Sequence, residues 1–246
     1  MSSELALESQ GGDPALPEET LSLYHTQIDE LDRITAATGL ESPAQFAKKD
    51  AGALFAQQLL ATASAEADAG VSRRSNQPRV TEYLKLLGLD FADENGTPYP
   101  FCAAGVSWAT AKSFCDLAPT IPYGPETRLG LFRSLLQPLR AYYFRPDARC
   151  QTIENDSKAR GLWVSETATP KPGWLILYNW HRKSTPQHIG IVQSADATSL
   201  HTIEFNTSPD DGPNQGNGGF VARKNRQPFR WAVLGYVKTY DVPAGA

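Results

Sequence analysis

A change of period at Gly173 constrains the fold of this chain more than any other feature. Before it, apolar residues recur at three- and four-residue steps; after it come five short runs separated by turn-forming residues: WLILY (174–178), HIGIV (188–192), LHTIEFN (200–206), GFVAR (219–223) and AVLGYV (232–237). Strands that follow helices, instead of alternating with them, specify an α+β domain with an antiparallel sheet. In the helical half, Leu21, Tyr24, Ile28, Leu31 and Ile34 predict an amphipathic helix from Glu18 to near Gly39. An Ala-rich helix is expected from Phe46 to about Ala67, and a shorter one carrying Val80, Tyr83, Leu84 and Leu87 ends at Gly88. The segment from Cys102 to Cys115 has no Pro, sets Ala104, Trp108, Ala111 and Cys115 on one face, and reads as a buried helix.

Residues 1–18 are rich in Ser, Gly, Pro and Glu and cannot bury enough apolar surface to order themselves. The expected organisation is therefore an N-terminal extension over 1–45, made of that tail and one helix, followed by a catalytic-sized domain over 46–242. Within 116–172, residues 129–139 have helical character, and the middle of the stretch carries no assignment.

Hydrophobic residues at 41% and charged residues at 20% of 246 positions describe an ordinary globular chain. The net charge of −4 comes without a basic stripe, which argues against nucleic acid as a partner. No apolar run approaches the roughly 20 residues of a membrane span, and no basic-then-apolar secretory layout opens the chain, so a protein made in soluble, cytoplasmic form is expected. Cys102, Cys115 and Cys150 lack CxxC or metal-ligand spacing, and neither a zinc site nor any other cofactor is expected; at most one pair of them can close.

Among these cysteines Cys102 stands where a thiolate is best stabilised, in the first turn of a helix, with unpaired N–H groups and the helix dipole behind it. The small pair Ala103-Ala104 leaves room for a substrate to approach backbone donors. Cys115 falls on the buried helix face as a core residue, and Cys150 lies in an irregular stretch, open between core and site. A thiol nucleophile needs an imidazole near neutral pH. His25 and His181 read as surface groups, whereas His188 begins a strand that can hold its ring rigidly. If HIGIV and LHTIEFN form a hairpin centred on Asp196, with Val192 opposite Leu200 and Gly190 opposite Thr202, then His188 faces Glu204 at about 5 Å between Cβ atoms. Period two puts Asn206 on the same face and turns His201, Ile203 and Phe205 away. Trp108 and Trp174 read as packing residues, and Tyr99, Trp180 and Trp231 as core or rim.

The segments YPFCAAGVSW, GWLILYNW, QHIGIV and HTIEFNTSP, in that order, resemble the CHAP family of cysteine- and histidine-dependent amidohydrolases and peptidases that cut bacterial peptidoglycan. The resemblance runs from roughly residue 50 to 240 and includes NQPRVTEYLKLLGL. It implies a papain-like fold, with Cys102 as nucleophile, His188 as general base and acid, Glu204 as the group that orients His188, and Asn206 as an auxiliary polar group. The chain departs from the family pattern at Phe101, where Trp is usual before the cysteine, at Gly173-Trp174 in place of Gly-Asp, and at Phe205 in place of Gly. The insert over 116–172 is also longer than usual.

The resulting expectation is cleavage of amide bonds in peptidoglycan, by amidase or endopeptidase action. Its rivals are a papain-like amidase acting on a small cytoplasmic amide and a catalytically silent wall-binding module. A substrate outside the cytoplasm calls for release by lysis or a signal-independent export route, and a producing cell then needs an inhibitor protein as partner.

Overall fold

The structure, a computed structural model, describes residues 51–117, 130, 144–181, 185–210 and 218–239. The chain divides between Ser42 and Pro43, and every described residue belongs to the second unit, Pro43–Ala246. The expected tail, the helix from Glu18, His25 and the helical character of 129–139 fall outside the described residues, Gly130 excepted.

Among the described residues four helices precede the strands: α1 (Ala51–Asp68), α2 (Gln77–Leu86), α3 (Cys102–Leu117) and α4 (Cys150–Ala159). The described strands are β1 (Trp163–Ser165), β2 (Leu175–Tyr178), β3 (His188–Ala195), β4 (Leu200–Thr207), β5 (Phe220–Asn225) and β6 (Val233–Val237), with a 3-10 turn at Gln227–Ala232. They form one antiparallel sheet in the order β1-β6-β2-β3-β4-β5. This is the α+β class that the change of period predicts. Both α4 and β1 lie in the stretch that sequence periodicity leaves open, and Cys150, read from sequence as lying in irregular chain, is the first residue of α4.

The helices pack on one sheet face. Alternate residues Leu175 and Leu177, Ile189 and Ile191, Ile203 and Phe205 join Phe55, Leu59, Tyr83, Val106 and Trp108 in a single core. The other face collects Trp174, Ile176, Tyr178, Val192, Leu200 and Tyr236. Helix α2 is opened by Asn76, whose side chain accepts from the Arg79 N–H, and by a Pro in its first turn; Tyr83 then carries it into the core. The Tyr83 ring lies 4.9 Å from Trp108 and 5.4 Å, edge-on, from Phe205, tying α2, α3 and β4 together. Gly105 of α3 lets β4 come close: a Cβ there would lie 2.2 Å from the Phe205 ring. That approach brings the N-terminal end of α3 down onto the sheet.

The β3-β4 register differs from the sequence expectation. Gly190 pairs with Glu204, Ile191 with Ile203 and Val192 with Thr202; beyond a bulge, Ser194 pairs with His201 and Ala195 with Leu200. The hairpin closes more tightly than a seven-residue loop because Asp196 Oδ1 accepts from the N–H groups of Thr198 and Ser199, stapling a four-residue turn. His188 and Glu204 are thus diagonal neighbours on one face, not direct partners, and Gly190 is the residue opposite the carboxylate.

Asn206 is corrected too. Its φ of 57° lies in the left-handed region that Asn tolerates, and the β4-β5 register shifts between Glu204 and Thr207. Alternation breaks there. Thr207, not only the period-two set, reaches Glu204, while the Asn206 carboxamide oxygen accepts from Arg73 Nη2 at 2.9 Å.

Candidate active site

Cys102 is the first residue of α3 and is buried, with 6% of its surface exposed. The His188 imidazole and the Ala103 N–H lie beside its sulfur. Three contacts of Arg73 set the approach to the helix. Arg73 Nη2 donates to the Tyr99 carbonyl at 2.9 Å as well as to Asn206, and its guanidinium stacks 5.5 Å from the Phe101 ring. The strand end and the turn before the nucleophile are held by one cation.

His188 opens β3 directly opposite Tyr178 of β2. The two rings stack at 5.9 Å and 26°, so Tyr178 fixes the plane of the imidazole. Its rotation within that plane is fixed by Glu204, whose Oε2 lies 2.9 Å from Nε2. A carboxylate can only accept, so Nε2 carries a proton and Nδ1 is the nitrogen that faces sulfur chemistry.

Glu204 is completely buried, a position that an ionised carboxylate tolerates only when its lone pairs are satisfied. They are. Oε1 accepts from Tyr178 Oη at 3.0 Å, Thr202 Oγ1 at 2.8 Å and Arg226 Nε at 2.6 Å; Oε2 accepts from His188, from Thr207 Oγ1 at 3.3 Å and from Arg226 Nη2. Burial raises the carboxyl's pKa, but the two-pronged bond from Arg226 and the bond from His188 outweigh it and hold Glu204 far below the usual carboxylate range. The carboxylate is a permanent anion.

That anion governs the pair beside it. Burial disfavours the charged imidazole, yet bonds to Cys102 and Glu204 raise the His188 pKa to about 9. The Cys102 thiol is held well below its ordinary range. The bond from Cys150 makes the largest contribution; burial opposes it, and His188 adds to the lowering. Both shifts favour the proton on the nitrogen side, as thiolate and imidazolium. Cys115, buried in the core with no such partners, is pushed up to about 12 mainly by desolvation. It is the inert thiol its helix face predicts.

Of the sequence-predicted residues, His188 and Glu204 are hydrogen-bonded and the imidazole lies beside the Cys102 sulfur, while Asn206 is held by Arg73. His181 and His201 are exposed. Three partners have no motif to announce them. Tyr178 belongs to a strand that reads only as core, and Thr202 is visible as a same-face neighbour of Glu204. Arg226 follows β5 in the run RKNRQP, where its N–H bonds the Leu200 carbonyl and its side chain turns under the sheet. The usable signal was a buried anion that requires a cation. Beyond this cluster, Trp180 stacks on Tyr178 at 4.9 Å, and Trp231 is 53% exposed.

Gly190 is what lets Glu204 reach His188. A Cβ at position 190 would lie 2.7 Å from Glu204 Cγ and 3.3 Å from the Ile203 carbonyl oxygen. Gly190→Ala is expected to push the carboxylate off the imidazole, costing about 1–3 kcal/mol of stability. The expected kinetic sign is a fall in kcat larger than any change in KM, measured beside a denaturant titration.

Among the described residues no group of His, Cys, Asp and Glu side chains could hold a metal ion, and no helix is long and apolar enough to cross a membrane. No family model and no curated protein matches the chain. Among solved structures it is similar to Ly7917, at 15% identity and a TM-score of 0.33 over 67% of this chain and 62% of that one. A second match is Ly7917 with the hydrolyzing product of MDP, at 16% identity and a TM-score of 0.31 over 66% and 62%. The chain thus spans less than two thirds of the length of these structures.

Proposed function

We infer that this chain is a cysteine amidohydrolase or endopeptidase with a papain-like arrangement, cleaving amide bonds in bacterial peptidoglycan. The observation that carries the reading is the imidazole of His188 shared between the Cys102 sulfur and the fully buried, Arg226-paired Glu204. A structural histidine needs neither a thiol beside it nor a carboxylate kept ionised by six donors. The amide-hydrolase class follows from this chemistry; the choice of peptidoglycan rests on the CHAP resemblance of the four sequence blocks.

The thiolate attacks the amide carbonyl carbon, and N–H groups of the first turn of α3, which have no intrahelical acceptor, receive the developing oxyanion. The His188 imidazolium gives its proton to the leaving amine as the C–N bond breaks, leaving a thioester on Cys102. Neutral His188 then takes a proton from water, which attacks the thioester and releases the carboxylic acid. Glu204 keeps its charge throughout. It stabilises the imidazolium and holds its orientation, while Arg73 and Asn206 position the turn that leads into the nucleophile.

The test is to incubate purified bacterial cell walls with the wild-type chain and with Cys102→Ala, and to identify released fragments by mass spectrometry. Release of stem-peptide fragments by the wild type alone supports the reading and identifies the bond cut. Wall binding without release would favour a binding module, and turnover of small amides without action on walls would move the substrate to the cytoplasm.

A further inference from the structure

The mechanism above uses one sulfur, yet a second stands against it. Cys150 Sγ lies 3.8 Å from Cys102 Sγ, and both side chains are buried. The contact joins two helix N-termini, because Cys102 opens α3 and Cys150 opens α4. It is also built, not incidental. Ser107, five residues into α3, donates its hydroxyl to the Asp147 carbonyl and accepts from the Asp147 N–H, both at 3.1 Å, clamping the chain three residues before Cys150 onto α3. Asp156 of α4 accepts from the Arg145 N–H at 2.9 Å and closes the same loop onto its own helix. An acyl-transfer site needs one thiol; a second one fixed in contact with it has another chemistry available.

We propose that Cys102 and Cys150 form a reversible oxidation site, in which Cys150 resolves peroxide-oxidised Cys102 as an intramolecular disulfide and so switches the nucleophile off without destroying it. In the first step the Cys102 thiolate attacks one oxygen of a peroxide; the O–O bond breaks, and the departing oxygen takes up a proton as water or an alcohol. The peroxide is reduced by two electrons, and Cys102 becomes a sulfenic acid. Cys150 sulfur then attacks Cys102 sulfur, the S–O bond breaks, and the hydroxyl leaves as water with the proton from Cys150. Closing the gap from 3.8 Å to the ~2.05 Å of an S–S bond is within the range of side-chain rotation at two helix ends. A dithiol reverses the bond and restores both thiols. Without Cys150 the sulfenic acid has no thiol to condense with, and a second peroxide, reduced to water or alcohol as its O–O bond breaks, oxidises it to the irreversible sulfinic acid. Cys115, the third thiol, is buried in the core and serves as an internal control.

This proposal rests on Cys102 being the reactive thiol but not on which amide bond the chain cuts, so its test reads the cysteines directly. The whole chain is treated with a several-fold excess of hydrogen peroxide, remaining thiols are alkylated after unfolding, and the peptides are mapped by mass spectrometry. The expected result is a peptide pair linked through Cys102 and Cys150, with Cys115 alkylated in full. Thiol reactivity at Cys102, and wall hydrolysis where it is measured, falls on oxidation and returns completely with dithiothreitol. In Cys150→Ser, checked by circular dichroism, the same treatment carries Cys102 to sulfinic acid and dithiothreitol restores nothing. Wild-type protein that accumulates sulfinic acid at Cys102 while Cys150 remains a free thiol would overturn the proposal. That mapping decides even where the serine variant does not fold. A clean disulfide in a chain that leaves walls intact would sink the peptidoglycan reading and leave this one standing.

Discussion

Arg226→Ala is expected to be the most destabilising single change in the domain. Arginine and carboxylate are both fully buried, and Arg226 bonds both Glu204 oxygens. Deleting the cation strands an anion where water cannot reach it, a loss of about 3–5 kcal/mol. In a domain of this size that lowers the melting temperature by roughly 6–20 °C. The guanidinium also stacks 5.1 Å from Trp180 and 5.5 Å from Tyr178, so the aromatic layer under the histidine loosens with it. Arg226→Lys keeps the charge, loses the two-pronged geometry, and should fall between. Thermal melts of the three proteins, followed by circular dichroism, measure the order. An Arg226→Ala variant that melts with the wild type would mean that Glu204 is protonated, contrary to its donor set.

His188→Ala should divide its effect differently, destabilising less than Arg226→Ala because it leaves a cavity but no stranded charge, and severe in activity. Glu204 keeps Arg226, Tyr178, Thr202 and Thr207 when the imidazole is gone, so its charge remains satisfied. The reaction, however, loses both a group that helps Cys150 keep Cys102 ionised and the acid that releases the amine. General acid and base contributions of that kind are each worth about 10²–10⁴-fold, and a fall in kcat of roughly 10⁴-fold or more is expected. Single-turnover kinetics on a peptide amide reads it. A fall of less than tenfold would transfer the proton chemistry elsewhere, and the exposed His181 and His201 offer no buried alternative.

These contrasts also show which parts of the molecule could be read from the chain. Periodicity was sufficient for α2, α3 and strands β2 to β6, because each buries a repeating face: Ile189 and Ile191 meet the helices, His188, Gly190 and Val192 the other side. It failed for β1, which is too short to show a period, and for α4, whose buried positions Cys150, Ile153, Glu154 and Ser157 include two polar residues, so no apolar period shows in the text. The pairing of His188 with Glu204 was legible as a shared face and misjudged in register. The tight turn at Asp196 and the bulge beyond Val192 shift the strands, and neither changes the alternation from which faces are inferred. Asn206 shows the complementary failure, since a left-handed residue ends the alternation without altering composition. Arg226 and Cys150 come from distant segments, and only folding supplies their neighbours.

The central claim is that Cys102 and His188 form a thiolate–imidazolium pair. The pH window follows from both groups: the pair forms as pH rises through the depressed Cys102 thiol pKa and disappears as His188 loses its proton near 9. The most direct measurement is the rate of iodoacetamide alkylation at Cys102, resolved from Cys115 and Cys150 by peptide mapping, as a function of pH. The account predicts reaction well below the ordinary thiol pKa of ~8.5, a second change near 9, and loss of the low-pH reactivity in His188→Ala. A Cys102 that titrates as an isolated thiol, with the same profile in wild type and His188→Ala, would contradict it.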